Sequence, residues 1–338
     1  TLGTAPTSVT LTENETQRIT VPISASEVGD ASIEIALTTP DGSTLTQTAR
    51  VPVRQNDPQT LRASRFTLDP GDSFTFDANA FAGLRAGTAS ATLSAGPLAR
   101  LNVPGLLQTL DRYPYGCTEQ VTSRALPLLY LNQGAQAMGQ ADDAARDARI
   151  NESISQILAR QAGNGAFGLW SVGAGDLWLD AYVTDFLSRA RAQGYVVPDL
   201  ALRRALDNLM NAVNYAPDFE TGGEGLAYAL MVLAREGEAK MGDLRYYADV
   251  KADAFATPLA RAQLGAALAL YGDPARADAM FAKATQSSRD TGWRGDYGTA
   301  LRDTAGVLTL AVEAGSNVID PDPLITALAA APDRFSTQ

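Results

Sequence analysis

Two rhythms of apolar and polar positions divide the chain. From about residue 9 to 103 apolar side chains recur at every second position with Thr and Ser between them, and residues 18–23, 33–37, 66–68, 74–76 and 89–93 read as half-buried strands. Pro40-Asp41-Gly42 and Asp69-Pro70-Gly71-Asp72 supply turn chemistry between those runs. The pattern predicts an antiparallel β-sandwich for this half. After about Gly105 it gives way to Ala- and Leu-rich helices, five of which run into a glycine, at Gly134, Gly194, Gly237, Gly272 and Gly315. Each of these glycines fits a left-handed helix cap. The last four lie 43, 35 and 43 residues apart, a spacing suited to one helical hairpin per repeat. The longer first interval leaves room for an additional short helix pair. Hairpins repeated without strands build an open solenoid or a closed toroid. Helices apolar nearly all round favour the toroid, whose inner ring is covered on both sides, though the pattern alone leaves the choice open.

Composition narrows the function. A chain of 338 residues, 45% hydrophobic, is enough for two compact domains with real cores. A net charge of −11 with no basic run to offset it repels a phosphate backbone, so nucleic-acid binding is excluded. No stretch approaches the ~20 apolar residues of a membrane span, and no signal peptide opens the chain. One cysteine makes no internal disulfide, and the absence of histidine removes imidazole metal sites, Ser-His-Asp triads and Cys-His dyads. No cofactor is expected.

The chemistry concentrates in Tyr113-Pro114-Tyr115-Gly116-Cys117-Thr118-Glu119-Gln120. If Gly116 turns the chain and Cys117 opens a helix, Cys117 and Gln120 at i and i+3 project from one face. The thiol can then bond to the side-chain carbonyl carbon of Gln120, ammonia leaves, and an internal thioester stores an acyl group for a passing amine or hydroxyl. A cysteine at a helix N-terminus suits this, because the dipole and free N–H groups there favour thiolate. The plain alternative is a small buried apolar side chain, the usual fate of an unpaired cysteine. Tyr113 and Tyr115 are candidate shields that would keep water from the thioester, or ordinary aromatics at a domain boundary; Trp170, Trp178, Tyr182 and Met231 are further shield candidates or plain core.

This octapeptide resembles the thioester motif of the alpha-2-macroglobulin and complement superfamily, in its bacterial form. Ser123-Arg124-Ala125, the run from Gly165 to Trp170 and the run from Asp180 to Leu187 resemble segments of the same family, so the likeness covers roughly residues 60–330. The resemblance implies that Cys117 and Gln120 are the thioester pair, with Gly116 and Glu119 the other motif residues; Thr118 stands where relatives often carry Leu or Gly. It settles the helical part as an α/α-toroid, in an α+β multidomain chain: macroglobulin-like strands over 1–57, the first part of a CUB-like β domain over 58–103, and the thioester domain over 104–335. It further implies a broad-spectrum peptidase inhibitor, a single-turnover trap and no enzyme. After cleavage of a bait segment elsewhere, the thioester acylates a lysine amine of the attacking peptidase, and the lack of histidine matches the family members that prefer amines. A periplasmic, lipid-anchored parent protein, a monomeric state and a penicillin-binding protein as partner are family expectations, and Thr1 is expected to be the start of an excised fragment.

A rival reading comes from the fold. α/α-Toroids also host carbohydrate-active enzymes that work with paired carboxylates. Asp176, Asp180 and Asp185 cluster near Trp178 and Tyr182 in the sequence, as in a sugar cleft, yet each also fits a helix cap or a solvated position. Arg302 and Asp303 are expected to form an ion pair or to contact a neighbouring domain.

Overall fold

A computed structural model describes residues 1–54, 68–91, 116–137, 144–286 and 294–330, with 60, 62, 64, 66 and 93. It divides into two compact units, Thr1–Gly71 and Asp72–Gln338.

In the first unit, the alternation of residues 33–37 becomes strand β1 (Gly29–Thr38), paired antiparallel with β2 (Thr44–Val53) in the register Gly29 to Val53 through Thr38 to Thr44. Pro40-Asp41-Gly42 makes the turn. Asp41 accepts from the Ser43 N–H at 3.1 Å, and Gly42 takes the left-handed conformation at φ +85°. This hairpin is the one sheet among the described residues, so the expected β-sandwich is not formed there. Residues 18–23 contribute a single bridge, Leu2 to Ile23, and residues 74–76 are not strand. Alternation supplies one apolar face, but a strand also needs a hydrogen-bonded neighbour and a second layer to cover that face. Ile35, Leu37 and Leu45 on the hairpin are all exposed. The expected seam at 56–58 falls outside the described residues, and residues 89–91 and 93 of the run 89–93 are not strand.

The second unit is helical. Ten α-helices follow in order among the described residues: α1 (Thr118–Ala137), α2 (Ala144–Leu158), α3 (Leu177–Ala192), α4 (Asp199–Asn214), α5 (Glu224–Arg235), α6 (Met241–Val250), α7 (Pro258–Leu270), α8 (Pro274–Thr285), α9 (Ala300–Glu313) and α10 (Pro321–Ala330). Their starts are written in side chains: Asp176 accepts from the Leu179 N–H at 2.8 Å, Thr257 from Ala260 at 3.1 Å, and Thr299 from Arg302 at 3.2 Å. Pro258 and Pro274 stand in the first turns of α7 and α8, where no N–H is needed. Their stops are the expected glycines: Gly194, Gly237, Gly272 and Gly315 all take positive φ. Gly134 differs, lying inside α1 rather than past its end.

The odd-numbered helices form an inner row, each packed on the next, and the even-numbered ones pack behind them. Burial follows this division. In α5 every residue from Leu226 to Ala234 is buried, whereas α4 buries one stripe, Leu202, Ala205, Leu206, Leu209 and Val213. The row curls until α9 meets α3: Arg189 on α3 donates to Glu313 on α9 at 2.7 Å, and the Arg302 guanidinium lies over the Trp178 ring. The result is a curved arrangement of helices in two layers.

Candidate functional site

Cys117 opens α1 as its N-cap residue, and the first turn folds back on it from both directions. The Cys117 backbone N–H donates to Oε1 of Gln120 at 3.2 Å. The backbone N–H groups of Gln120 and Glu119 lie near enough to the Cys117 sulfur to favour its thiolate. This is a capping box with a thiol in place of the usual hydroxyl and a carboxamide as its third-position partner. It brings the Gln120 carboxamide back onto the Cys117 backbone. Cys117 is buried, 6% exposed, and burial is the strongest influence on its thiol, pushing it above its ordinary value. The expectation of a favoured thiolate is therefore corrected: the helix N-terminus and the nearby Arg160 pull the thiol toward ionisation, but loss of water outweighs them.

A Cβ placed at Gly116 would meet nothing within 4 Å among the described residues. Thr118 is more than tolerated variation. It is fully buried; its hydroxyl donates to the Gly168 carbonyl at 2.6 Å and accepts from Arg160 at 3.2 Å, while its backbone N–H donates to Leu169 O at 2.8 Å. The run from Gly165 to Trp170 thus buttresses the turn that carries Cys117. That run is fixed in turn by Asp180, which accepts from the Phe167 N–H at 2.7 Å and from Asn208 at 2.8 Å.

Glu119 faces a second set of groups. Its Oε1 accepts from Ser123 Oγ at 2.7 Å, and Ser123 lies 3.0 Å from the Tyr182 hydroxyl. Tyr182 belongs to an aromatic cluster: the Trp178 ring centre is 4.9 Å from that of Tyr182, 6.1 Å from Tyr228 and 5.3 Å from Tyr297. Burial pushes the hydroxyls of Tyr182 and Tyr228 upward, so both stay protonated. Of the other proposed shield residues, Met231 is core and Trp170 is 63% exposed, a correction to its assignment as core or shield. Tyr113 and Tyr115 lie outside the described residues.

The carboxylates of the rival reading are otherwise engaged. Asp176 caps α3, as expected, and accepts from the Tyr297 hydroxyl at 3.3 Å. Asp180 holds the loop described above. Asp185 accepts from Arg189 at 2.9 Å through one oxygen and from Tyr228 at 2.9 Å through the other. A cavity of about 780 Å³ beside Trp178 and Tyr297 is also lined by Asp176, Glu224, Arg294 and Asp296, but Asp296 is bound by Arg294 at 2.6 Å and by Arg302 at 2.6 Å. No free pair of acids faces a cleft among these residues, and the geometry does not favour a carbohydrate-active enzyme. Arg302 and Asp303 do pair, at 3.5 Å, within the same four-residue network. Among the described residues no cluster of acidic or thiol groups is arranged to hold a metal ion.

Sequence reasoning missed Ser123 as the partner of Glu119, and it missed Tyr297, which stands in a Gly-Asp-Tyr-Gly turn with no periodicity to single it out. It passed over Arg160 as well, whose role shows only through the fold.

Residues 92–220 match the A-macroglobulin TED domain family. The chain is 36% identical over 277 residues to the alpha-2-macroglobulin of Escherichia coli strain K12, a match covering 77% of this chain and 16% of that protein. Among solved structures it resembles Salmonella alpha-2-macroglobulin reacted with methylamine, with a TM-score of 0.67 and 30% identity over 92% of this chain and 21% of that one. It also resembles trypsin-activated alpha-2-macroglobulin from Escherichia coli, with a TM-score of 0.54 and 36% identity over 64% of this chain and 16% of that one. The chain thus spans about a sixth of the length of the curated relative.

Proposed function

Over the stretch it shares with them, the chain belongs with the bacterial alpha-2-macroglobulins, and we propose that it carries the reactive centre of a peptidase trap, an internal thioester between Cys117 and Gln120. The observation that supports this reading most directly is the fold-back of the Gln120 carboxamide onto the residue that carries the thiol at a buried helix start, with Cys117 N–H donating to Gln120 Oε1 at 3.2 Å. In this reading the Cys117 sulfur bonds to the Gln120 carbonyl carbon and ammonia leaves. The carbonyl oxygen keeps the Cys117 N–H as its donor, which polarises the acyl carbon toward attack. Burial among α1, the 165–170 run and the Trp178 cluster keeps hydroxide away until a nucleophile is delivered.

The nucleophile is a lysine amine of the captured peptidase. Two relatives suit this reading: one was solved after reaction with methylamine, the other after activation by trypsin. Each molecule reacts once, the acyl group passing to the amine and the sulfur departing, so the chain acts as an inhibitor without turnover. The same reading takes the parent protein to be periplasmic, a proposal that rests on the family resemblance alone.

Mass spectrometry of the freshly purified protein tests the thioester. The peptide spanning residues 111–124 should lack ammonia, about 17 Da, show no titratable thiol, and gain both a thiol and a methylamide on Gln120 when methylamine is added. A free thiol beside an intact carboxamide, inert to methylamine, would overturn the reading.

A further inference from the structure

The residue after Cys117 is held through its backbone and its side chain alike. Thr118 N–H donates to Leu169 O at 2.8 Å, and the Thr118 carbonyl accepts from Thr122 Oγ1 at 2.8 Å. Its hydroxyl donates to Gly168 O at 2.6 Å, with Leu169 O 3.1 Å away, and accepts from Arg160 Nη1 at 3.2 Å. Threonine is a mediocre helix former, so local propensity does not explain its place in the first turn of α1. The tertiary bonds do. We infer that Thr118, with Arg160 as its donor, is a positioning residue for the thioester: it fixes the turn between Cys117 and Gln120, and so sets how readily the bond closes and how long it lasts. This inference rests on the thioester reading and adds to it two named side chains that govern the lifetime of the bond.

The anchor is itself rigid. The Gly168 N–H donates to the Arg160 carbonyl at 3.2 Å, Gln161 is bridged antiparallel to Phe167, and the Ala162 N–H donates to Ala166 O at 2.8 Å. Asp180 holds the Phe167 N–H as well. A Cβ on Gly168 would meet Ser171 O at 1.9 Å, so this segment has little room to shift. Thr118 and Thr122 are both fully buried, where water does not compete for their bonds. Exchanging the Thr118 hydroxyl for a methyl would keep the shape of the side chain while taking a donor from Gly168 O and an acceptor from Arg160.

An intramolecular bond depends on how narrowly its two ends are confined. Pinning the Cys117–Thr118 peptide through its N–H, and Thr118 through its side chain, removes alternative positions for the start of the turn. Thiol and carboxamide then meet more often. Once the bond has formed and ammonia has left, the same pins limit the excursions that would admit water to the acyl carbon. Hydrolysis adds the hydroxyl of water to that carbon and the remaining proton to the sulfur, leaving a carboxyl group at position 120 and a thiol at Cys117.

The test follows spontaneous thiol release in amine-free buffer, in the full chain, with mass spectrometry giving the closed fraction at the start. Thr118→Val should release its thiol about 10-fold faster than the unaltered protein and purify with a smaller closed fraction. Thr118→Ser should restore the lifetime. Arg160→Met should shorten it about 3-fold, and the double variant should be no faster than Thr118→Val alone, because both changes act through one hydrogen bond. Tyr271→Phe, which removes the hydroxyl bond to Ala239 O at the end of α7, controls for lost stability and should leave the lifetime unchanged. An unaltered lifetime in Thr118→Val, or one shortened equally by Tyr271→Phe, overturns the inference and leaves the thioester standing. If Thr118→Val does not fold, Arg160→Met decides in its place, and an unchanged lifetime there overturns the inference. Absence of the thioester from the unaltered protein sinks the underlying reading instead, and this inference with it.

Discussion

Asp180 on α3 accepts from the backbone N–H of Phe167 at 2.7 Å, and this bond ties the loop behind Cys117 to the inner helical row. Burial raises the Asp180 carboxyl above its ordinary range, but the Phe167 and Asn208 donors act against that rise. Asp180→Ala leaves the Phe167 N–H and the Asn208 amide without their acceptor. Urea denaturation should show a loss of about 2–4 kcal/mol. A residue reserved for hydrolysis of a sugar would leave stability nearly unchanged when replaced, and that result would revive the enzyme reading.

Replacing Cys117 separates chemistry from structure. Cys117→Ala removes the sulfur that the N–H groups of Glu119 and Gln120 lie near but keeps its own N–H bonded to Gln120. Thermal melting should report a cost of about 1 kcal/mol, the worth of a helix cap, while methylamine incorporation at Gln120 disappears entirely. A collapse of the fold would show that the residue is structural first.

Gly165 is constrained twice over in the loop that supports the site. It adopts φ +96°, and a Cβ there would come within 2.0 Å of the Arg204 carbonyl oxygen. Gly165→Ala should destabilise the domain by more than about 2 kcal/mol, because both the backbone conformation and the close approach are denied to it. Its methylamine-reactive fraction should fall in parallel; full retention of both stability and reactivity would contradict the described packing.

Asp296 predicts an acid limb in the stability profile. Burial alone would raise its carboxyl, but Arg294 and Arg302 outweigh that effect and hold it below its ordinary range. Its folded value is therefore lower than its unfolded one, and between the two the unfolded chain binds more protons. The stability it contributes is fully present above about pH 4 and is lost as pH falls through the folded value. Asp296→Asn should cost about 3 kcal/mol at pH 7, and the gap to the parent protein should shrink as melts are repeated toward pH 3. A gap that stays constant across that range would show that the arginine pairing is not its source.

How much of this could be read from residue order depended on the span of the interaction. Cys117 and Gln120 lie within one helical turn, so their spacing alone announced them. The glycines at 194, 237, 272 and 315 did the same for the helix ends, since a left-handed cap is a local event. Gly134 shows the limit, for α1 runs through it to Ala137. Residues 18–23 show another, because alternation specifies a face and leaves the partner unnamed. Contacts across long separations left no trace in the pattern: Ser123 with Tyr182, Thr118 with Gly168, and the pairing of Arg189 with Glu313 emerge only when the helices curl. Thr118, one residue past the cysteine, reads as neutral in sequence because its role is set by a loop 50 residues downstream.

The charged seam between α3 and α9 has a consequence for how the inner row is set. Leucine and alanine surfaces tolerate some sliding and rotation, since greasy contact has little directional preference. Arg189, gripped by Asp185 and forked onto Glu313, has one satisfactory orientation, and Tyr228 on α5 answers to the same carboxylate. Three helices are thereby clocked about their own axes by a single polar hub. With α3 clocked, Trp178, Asp180 and Tyr182 are aimed as well, and through Asp180 a guanidinium remote from the cysteine bears on the loop that buttresses the Cys117 turn.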